Sequence, residues 1–398
     1  MKKIFSMLVA AALVLTAGGA IANNGSDLLY SRTTVHADGK YDTAALPEGT
    51  VDLLLNAAFS APSGGNQLSN NYYVITDRDR MATIQKGHPY SQPLDTAPMV
   101  IVVAGDEATC KYPELLEMDA GLAAGAMQAQ ATLLGLSSCV MSIYPQEERV
   151  NAVREACEMP ETMKPVLMVA FGVPAVDSVS TASVYNYNAG QVHRNGAATP
   201  TGETVDAATS ASVGGEAVDA SSTATVGSQK ADILYERTTV HANGKYDTAA
   251  LPEETIEKLL NAAFSAPSGG NQLSNNYYVL TERDRMATIQ KGHPYSQPLD
   301  TAPVVIVVAG DEASCKFPEL LEMDAGLSAM AMQIQATELG LSSCVMSIYP
   351  QDERVNAVRE ACEMPETMKP VLMVAFGVPA ADSVSSASVT NYDASKVH

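Results

Sequence analysis

The chain has 398 residues, 24 Lys and Arg against 45 Asp and Glu, and 46% apolar residues with no Trp. It is too apolar and, at 17% charged, too weakly charged for a disordered chain, and it is long enough for two or three domains that each bury a core. A formal charge of −21 argues against nucleic acid and anionic lipid as partners, because both require a cationic surface.

In chain order, the first segment reads as an address. Lys2 and Lys3 precede an apolar run from Ile4 to Ala17, and Ala20-Ile21-Ala22 supplies the small-x-small pattern of a cleavage site, which predicts a signal peptide over residues 1–22. No later segment reaches about 20 consecutive apolar residues, so no membrane span is expected after signal removal. Removing the leader takes away two Lys and no acid, so the mature charge is 22 − 45 = −23. The expected location is extracytoplasmic, periplasmic or secreted.

The rest is one unit written twice. Residues 27–193 and 232–398 align without gaps and are identical at 144 of 167 positions, so each is expected to be a complete domain. Residues 194–231 are rich in Ala, Ser, Thr, Gly and Val and are predicted to be a flexible linker. A coil of that length reaches about 35 Å, enough for the two repeats to pack on each other.

Within a repeat, helix and strand patterns alternate. Val51, Leu54, Leu55, Ala58 and Phe59 mark one helical face, opened by Pro47 and ended by Pro62-Ser63-Gly64-Gly65. Strands are predicted at Tyr72 to Thr76, Met99 to Ala104, Cys139 to Tyr144 and Val166 to Phe171. A long helix from Pro113 to about Leu134, lined with Ala, Met and Gly, is suited to close helix–helix contact, and Gln146 to Met159 is an amphipathic helix. The expectation is an α+β or α/β layered domain.

The sequence has no dinucleotide or Walker glycine loop, no His-Glu-x-x-His, no nucleophile elbow and no metal-ligand spacing, so no metal is expected. Each repeat holds three Cys, so complete disulfide pairing would require a bond between repeats; Cys139, in an apolar strand, reads as a buried thiol. What remains is polar residues on loops. Arg32, Thr34 and His36 alternate along an extended segment and can point one way, a set suited to a phosphate and a polar ring edge, although a surface arginine beside a turn explains them too. Ser63 and Asn66 sit on a Gly-rich turn that lets a flat ligand approach the backbone, and Gly135-Leu136-Ser137-Ser138 forms a third turn.

Arg-x-Thr-x-His at residues 32–36 and Ala-Pro-Ser-x-x-Asn-Gln at 61–67 resemble the opening of the FMN-dependent nitroreductase family. The Met118-Asp119 helix, the 135–138 turn, Tyr144 to Arg149, Phe171 to Pro174 and the tail Asn188 to His193 also resemble its compact members. The resemblance implies an α+β three-layer sandwich whose two copies form an intrachain pseudo-dimer, with FMN at two sites across the interface. It implies that Arg32, Thr34 and His36 face phosphate, ribityl chain and pyrimidine edge. Ser63 and Asn66 would approach from the other repeat, and Leu136, Ser137 and Ser138 would offer backbone N–H groups near the reactive ring. The second set is Arg237, Thr239, His241, Ser268, Asn271, Leu341, Ser342 and Ser343. The implied function is an exported FMN oxidoreductase that reduces a small acceptor such as a nitroaromatic or quinone. The expected donor is a redox protein, a quinol or reduced flavin.

Residues 175–189 contain no Lys or Arg to help hold a phosphate. A pattern Asp-[Ala/Ser]-x-[Ser/Thr]-[Ser/Thr]-Ala-[Ser/Thr]-Val occurs four times and resembles the segments that flavin transferases of exported proteins modify. It implies Ser183, Ser212, Thr225 and Ser388 as acceptors for covalent FMN. The alternatives are thus a covalently flavinylated electron carrier, or a cofactor-free binding module on the same fold.

Overall fold

The computed structural model of the chain describes residues 27–182, 186–195 and 233–398. The predicted signal peptide, and the predicted linker apart from Arg194 and Asn195, lie outside them. The first repeat runs α1 (Asp27–Tyr30), β1 (Thr33–Val35), α2 (Thr50–Ser60), β2 (Asn70–Ile75), α3 (Arg78–Gly87) and β3 (Met99–Asp106). It continues through α4 (Leu116–Leu133), β4 (Ser137–Ser142), α5 (Glu147–Cys157), β5 (Met163–Gly172), β6 (Val179–Thr181) and β7 (Val192–Arg194). The second repeat begins α6 (Ile233–Glu236), β8 (Thr238–Val240), α7 (Glu253–Ser265), β9 (Asn275–Leu280), α8 (Arg283–Gly292) and β10 (Val304–Asp311). It ends with α9 (Leu321–Glu338), β11 (Ser342–Ser347), α10 (Asp352–Cys362), β12 (Met368–Gly377) and β13 (Val384–Ser386).

Each main sheet is antiparallel at its centre, in the order β2-β3-β5-β4 and its counterpart β9-β10-β12-β11. Alternation along β3 sorts its side chains onto two faces. Val100, Val102 and Ala104 pack with Met81 and Ile84 of α3 and Val150 and Val153 of α5. Ile101 and Val103 face α2 and α4, and here the core is continuous across the repeats: Leu54, Leu55 and Leu122 join Leu259, Leu260 and Leu327 in one cluster. Each repeat is a three-layer α+β sandwich, and one layer is shared.

The seam follows from the composition of α4 and α9. A helix clothed mainly in Ala, Gly and Met has no continuous polar face to turn to water, so most of it is buried. A Cβ on Gly121 would stand 2.3 Å from the Met323 carbonyl oxygen, and one on Gly326 2.4 Å from that of Met118. The two backbones therefore touch where both lack a side chain.

The ends of the repeats are exchanged. β7 of the first repeat pairs parallel to β9 of the second. In return His398 N–H donates to the Tyr72 carbonyl and Val74 N–H to the His398 carbonyl, both at 2.8 Å. Tyr392 packs edge-on against Phe59 and Tyr187 against Phe264, each at 5.1 Å between ring centroids. These tails cover strand edges that would otherwise be open templates for pairing. The boundary read at residue 193 is thus one of sequence; in space the last residues of each repeat belong to the other's sheet. The ribbons β1–β6 and β8–β13 and the helix α3 were not expected either, α3 because only Met81 and Ile84 of its ten residues are buried. All six cysteines are free, so the considered bond between repeats is not formed. No helix among the described residues is long and apolar enough to cross a membrane.

Candidate functional site

Arg32 precedes β1, and its guanidinium donates to Thr34 Oγ1 at 2.8 Å and to the Ser265 carbonyl of the other repeat at 3.0 Å. Arg237 does the same toward Thr239 at 3.0 Å and the Ser60 carbonyl at 2.7 Å. Each arginine therefore crosses the seam to the end of the opposite α2 or α7, directly before the Ala-Pro-Ser-Gly-Gly-Asn turn. Burial lowers both guanidinium pKa values to about 10. Among the described residues neither forms an ion pair with a carboxylate, and Arg237 Nε is buried without a partner. A buried cation without a counter-charge is costly, and an arriving anion relieves that cost. Cys139 and Cys344 lie near these arginines, but burial raises each thiol to about 12 and keeps it neutral.

The turn opposite is held rigidly. Gly65, Asn66 and Leu68 all have positive φ, at 57°, 53° and 49°, a conformation that only Gly adopts without cost. Its support is Asp119 of α4, which is fully buried and accepts from Gly64 N–H at 2.7 Å and from Gln67 Nε2 at 3.1 Å. Gln67 in turn clasps the backbone N–H and carbonyl of Tyr112. Asp324 supports the second turn in the same way.

Burial pushes both carboxyl groups up to about 7. An unfolded Asp titrates near about 3.9, so the folded chain holds these protons more tightly. The stability they contribute is complete below the unfolded value and is lost as pH rises through 7, with an upper magnitude on the order of 4 kcal/mol per carboxyl. The urea midpoint should therefore fall from about pH 5 to about pH 8, and Asp119→Asn should remove about half of that slope.

A cleft of about 340 Å³ opens where Arg32 meets the other repeat, lined by Arg32, Gly125 and Gln128 from the first repeat and Ser265, Pro267 and Ile334 from the second. A crevice of about 240 Å³ lies under the first repeat's turn, among Phe59, Pro62, Ser63, Leu68, Asn70 and Tyr72.

Arg32 and Thr34 are in contact, and Arg32 reaches the stem of the turn that carries Ser268 and Asn271; Arg237, Thr239, Ser63 and Asn66 repeat the arrangement. Asn66 and Asn271 are exposed, with no side-chain hydrogen bond to the described residues. His36 and His241 are turned to Ser180 and Ser385 of the adjoining ribbon strands. Ser63 and Ser268 hydroxyls accept from Leu68 and Leu273 N–H within their own turns.

The third turn needs a correction. The N–H groups of Leu136 and Leu341 are spent on the Ala131 and Ala336 carbonyls, both at 2.8 Å, and so are not offered to a ligand. Ser137, Ser138, Ser342 and Ser343 are buried at the start of β4 and β11, where Ser137 bonds Thr33 and Ser138 accepts from Gln128. Ser183, Ser212 and Thr225 lie outside the described residues. Ser388 is described, and its hydroxyl accepts from Thr390 N–H at 3.0 Å. Asp119, Gln67 and Gln128 were not assigned a role from sequence; the available signal was a carboxyl among the Ala, Gly and Met residues of a helix suited to burial.

The Nitroreductase family model matches residues 81–173, 235–294 and 283–378. A protein named "Putative NADH dehydrogenase/NAD(P)H nitroreductase" from Methanothermobacter thermautotrophicus is 30% identical over 151 residues, which are 38% of this chain and 79% of that one. A solved structure named FMN-dependent nitroreductase, from Clostridium difficile, is 22% identical with a TM-score of 0.37, over 41% of this chain and 95% of that one. A solved structure named "putative nitroreductase" from Anabaena variabilis is only 12% identical but covers 86% of this chain and 92% of its own, with a TM-score of 0.57. That likeness shows that the fold extends over both repeats.

Proposed function

The chain belongs to the nitroreductase family of oxidoreductases, and we propose that it is an exported enzyme that holds FMN at the seam and reduces a small flat acceptor such as a nitroaromatic or a quinone. The observation that carries this reading is the buried, carboxylate-free guanidinium that crosses from one repeat to the stem of the other's turn. Such a group fits a phosphate. When bound, FMN supplies the electron chemistry, accepting electrons from a donor and passing them on. Arg32 and Thr34 would hold the phosphate and ribityl end. Asn271 would contact the flavin from the facing turn, which Asp324 and Gln272 keep rigid without touching the ligand. Exposed His36 would meet the outer polar edge, and the apolar wall of α4 and α9 would exclude water.

The donor follows from the export reading: a redox protein, a quinol or reduced flavin rather than a nicotinamide. Because the named archaeal relative carries NAD(P)H in its name, NADH is the control in any assay. The absorption spectrum, recorded before and after acid precipitation, tests the reading. A yellow protein that releases its flavin into the supernatant is expected, and a colourless protein that ignores added FMN contradicts it.

One observation favours covalent attachment as a second reading. The Ala387 N–H donates to the Arg237 carbonyl at 2.7 Å, and the Ala182 N–H to the Arg32 carbonyl at 2.8 Å. The residues that follow them in the chain are Ser388 and Ser183, so two of the four candidate acceptors stand in sequence directly after a contact with the backbone of a phosphate-seeking arginine. An intact mass equal to that of the bare mature chain, for protein from the native host, would end this reading.

A further inference from the structure

The two repeats differ at only 23 of 167 positions (167 − 144), yet one difference, Gly125 against a buried Met330, falls on the helix that walls the cleft. Gly125 and Ala129 line the open cleft beside Arg32. The counterpart of Gly125 is Met330, buried at 0% exposed; the counterpart of Ala129, Ile334, itself lines the cleft beside Arg32. The step from Gly to Met adds a whole flexible side chain to one wall. Met330 already packs against the bare backbone of Gly125, whose added Cβ would come within 2.9 Å of the Met330 Cβ.

The arginines register the same asymmetry. Arg32 is partly exposed and borders the 340 Å³ cleft. Arg237 is only 6% exposed and its Nε is sealed from solvent without a partner. The crevice under the first repeat's turn does not have Arg237 in its lining.

We propose that the paired repeats carry one working flavin cleft, the one between Arg32 and Ser265 to Pro267, and that Met330 closes its twin. The inference rests on the flavin reading above and deepens it: a duplicated chain with two inherited sites has had one of them filled by a side chain. The second repeat then serves mainly as the wall, the facing turn and the exchanged strand of the site built on the first.

Titration of the flavin-free full chain with FMN, read by equilibrium dialysis and by flavin absorbance, tests it. One FMN per chain is expected for the native sequence. Met330→Gly, which restores the first repeat's residue in the second, should raise this to two. Ala129→Ile should weaken binding at the single site at least tenfold, and it decides the matter alone if Met330→Gly does not fold. Two FMN bound by the native chain would overturn the inference and leave the flavin reading standing. One FMN per chain that neither variant alters would place the site elsewhere and overturn it as well. No binding by any of the three proteins would remove the flavin reading, and the inference with it.

Discussion

Replacing Gly121 by valine should destabilise the chain by about 3 kcal/mol or more and abolish flavin binding at the seam. The reason is geometric. The first added carbon would sit 2.3 Å from the Met323 carbonyl oxygen and 3.2 Å from the Gly326 Cα, and these are backbone atoms that no rotamer change can move aside. Relief requires that α4 and α9 separate, and they carry the core common to both repeats. Gly190→Ala is the control, because its added carbon meets only Asn188 Oδ1 at 3.2 Å; its effect should stay within about 0.5 kcal/mol. Urea denaturation of both variants checks the pair. A Gly121→Val protein as stable as the native chain would mean that the helices do not meet backbone to backbone.

Arg32→Met should weaken FMN binding about 100-fold, or about 3 kcal/mol, while leaving the flavin-free protein as stable as before or more so. The two signs differ because the guanidinium is buried without a carboxylate. Replacing it by an apolar chain of similar length removes a desolvation cost from the empty protein and removes the anion's partner from the loaded one. A residue kept against its stability cost is expected where function requires it. Fluorescence titration and a urea curve on the same sample measure both effects. If both affinity and stability fell together, the role of Arg32 would be its bonds to Thr34 and Ser265 alone.

The layered architecture was legible because it depends on patterns that burial imposes locally. The uncharged run in β3 and the Ala, Gly and Met of α4 leave little choice about where they lie. Arg32 and Thr34 were legible because alternation in an extended segment puts them on one side, and the structure shows them in contact. The exchange of tails was not, because Val192 to Arg194 have the same composition whether they return to their own sheet or add to the neighbour's. Asp119 was passed over since one carboxyl in a helix says nothing by itself; only the turn packed on it supplies the donors. The N–H of Leu136 was misjudged for the related reason that a helix end satisfies its own neighbours before any ligand. Near-identity of the repeats also hid their inequality. Gly125 and Met330 look like drift in an alignment, and become a difference in shape only once both stand at the seam.

A crystal structure of the chain soaked or grown with FMN tests the central claim most directly. The account predicts flavin density between the repeats, its phosphate against Arg32 and its ring touching the residues that follow Ser265 in the other repeat. Flavin held wholly within one repeat, with Arg32 and that facing turn out of contact range, would contradict it.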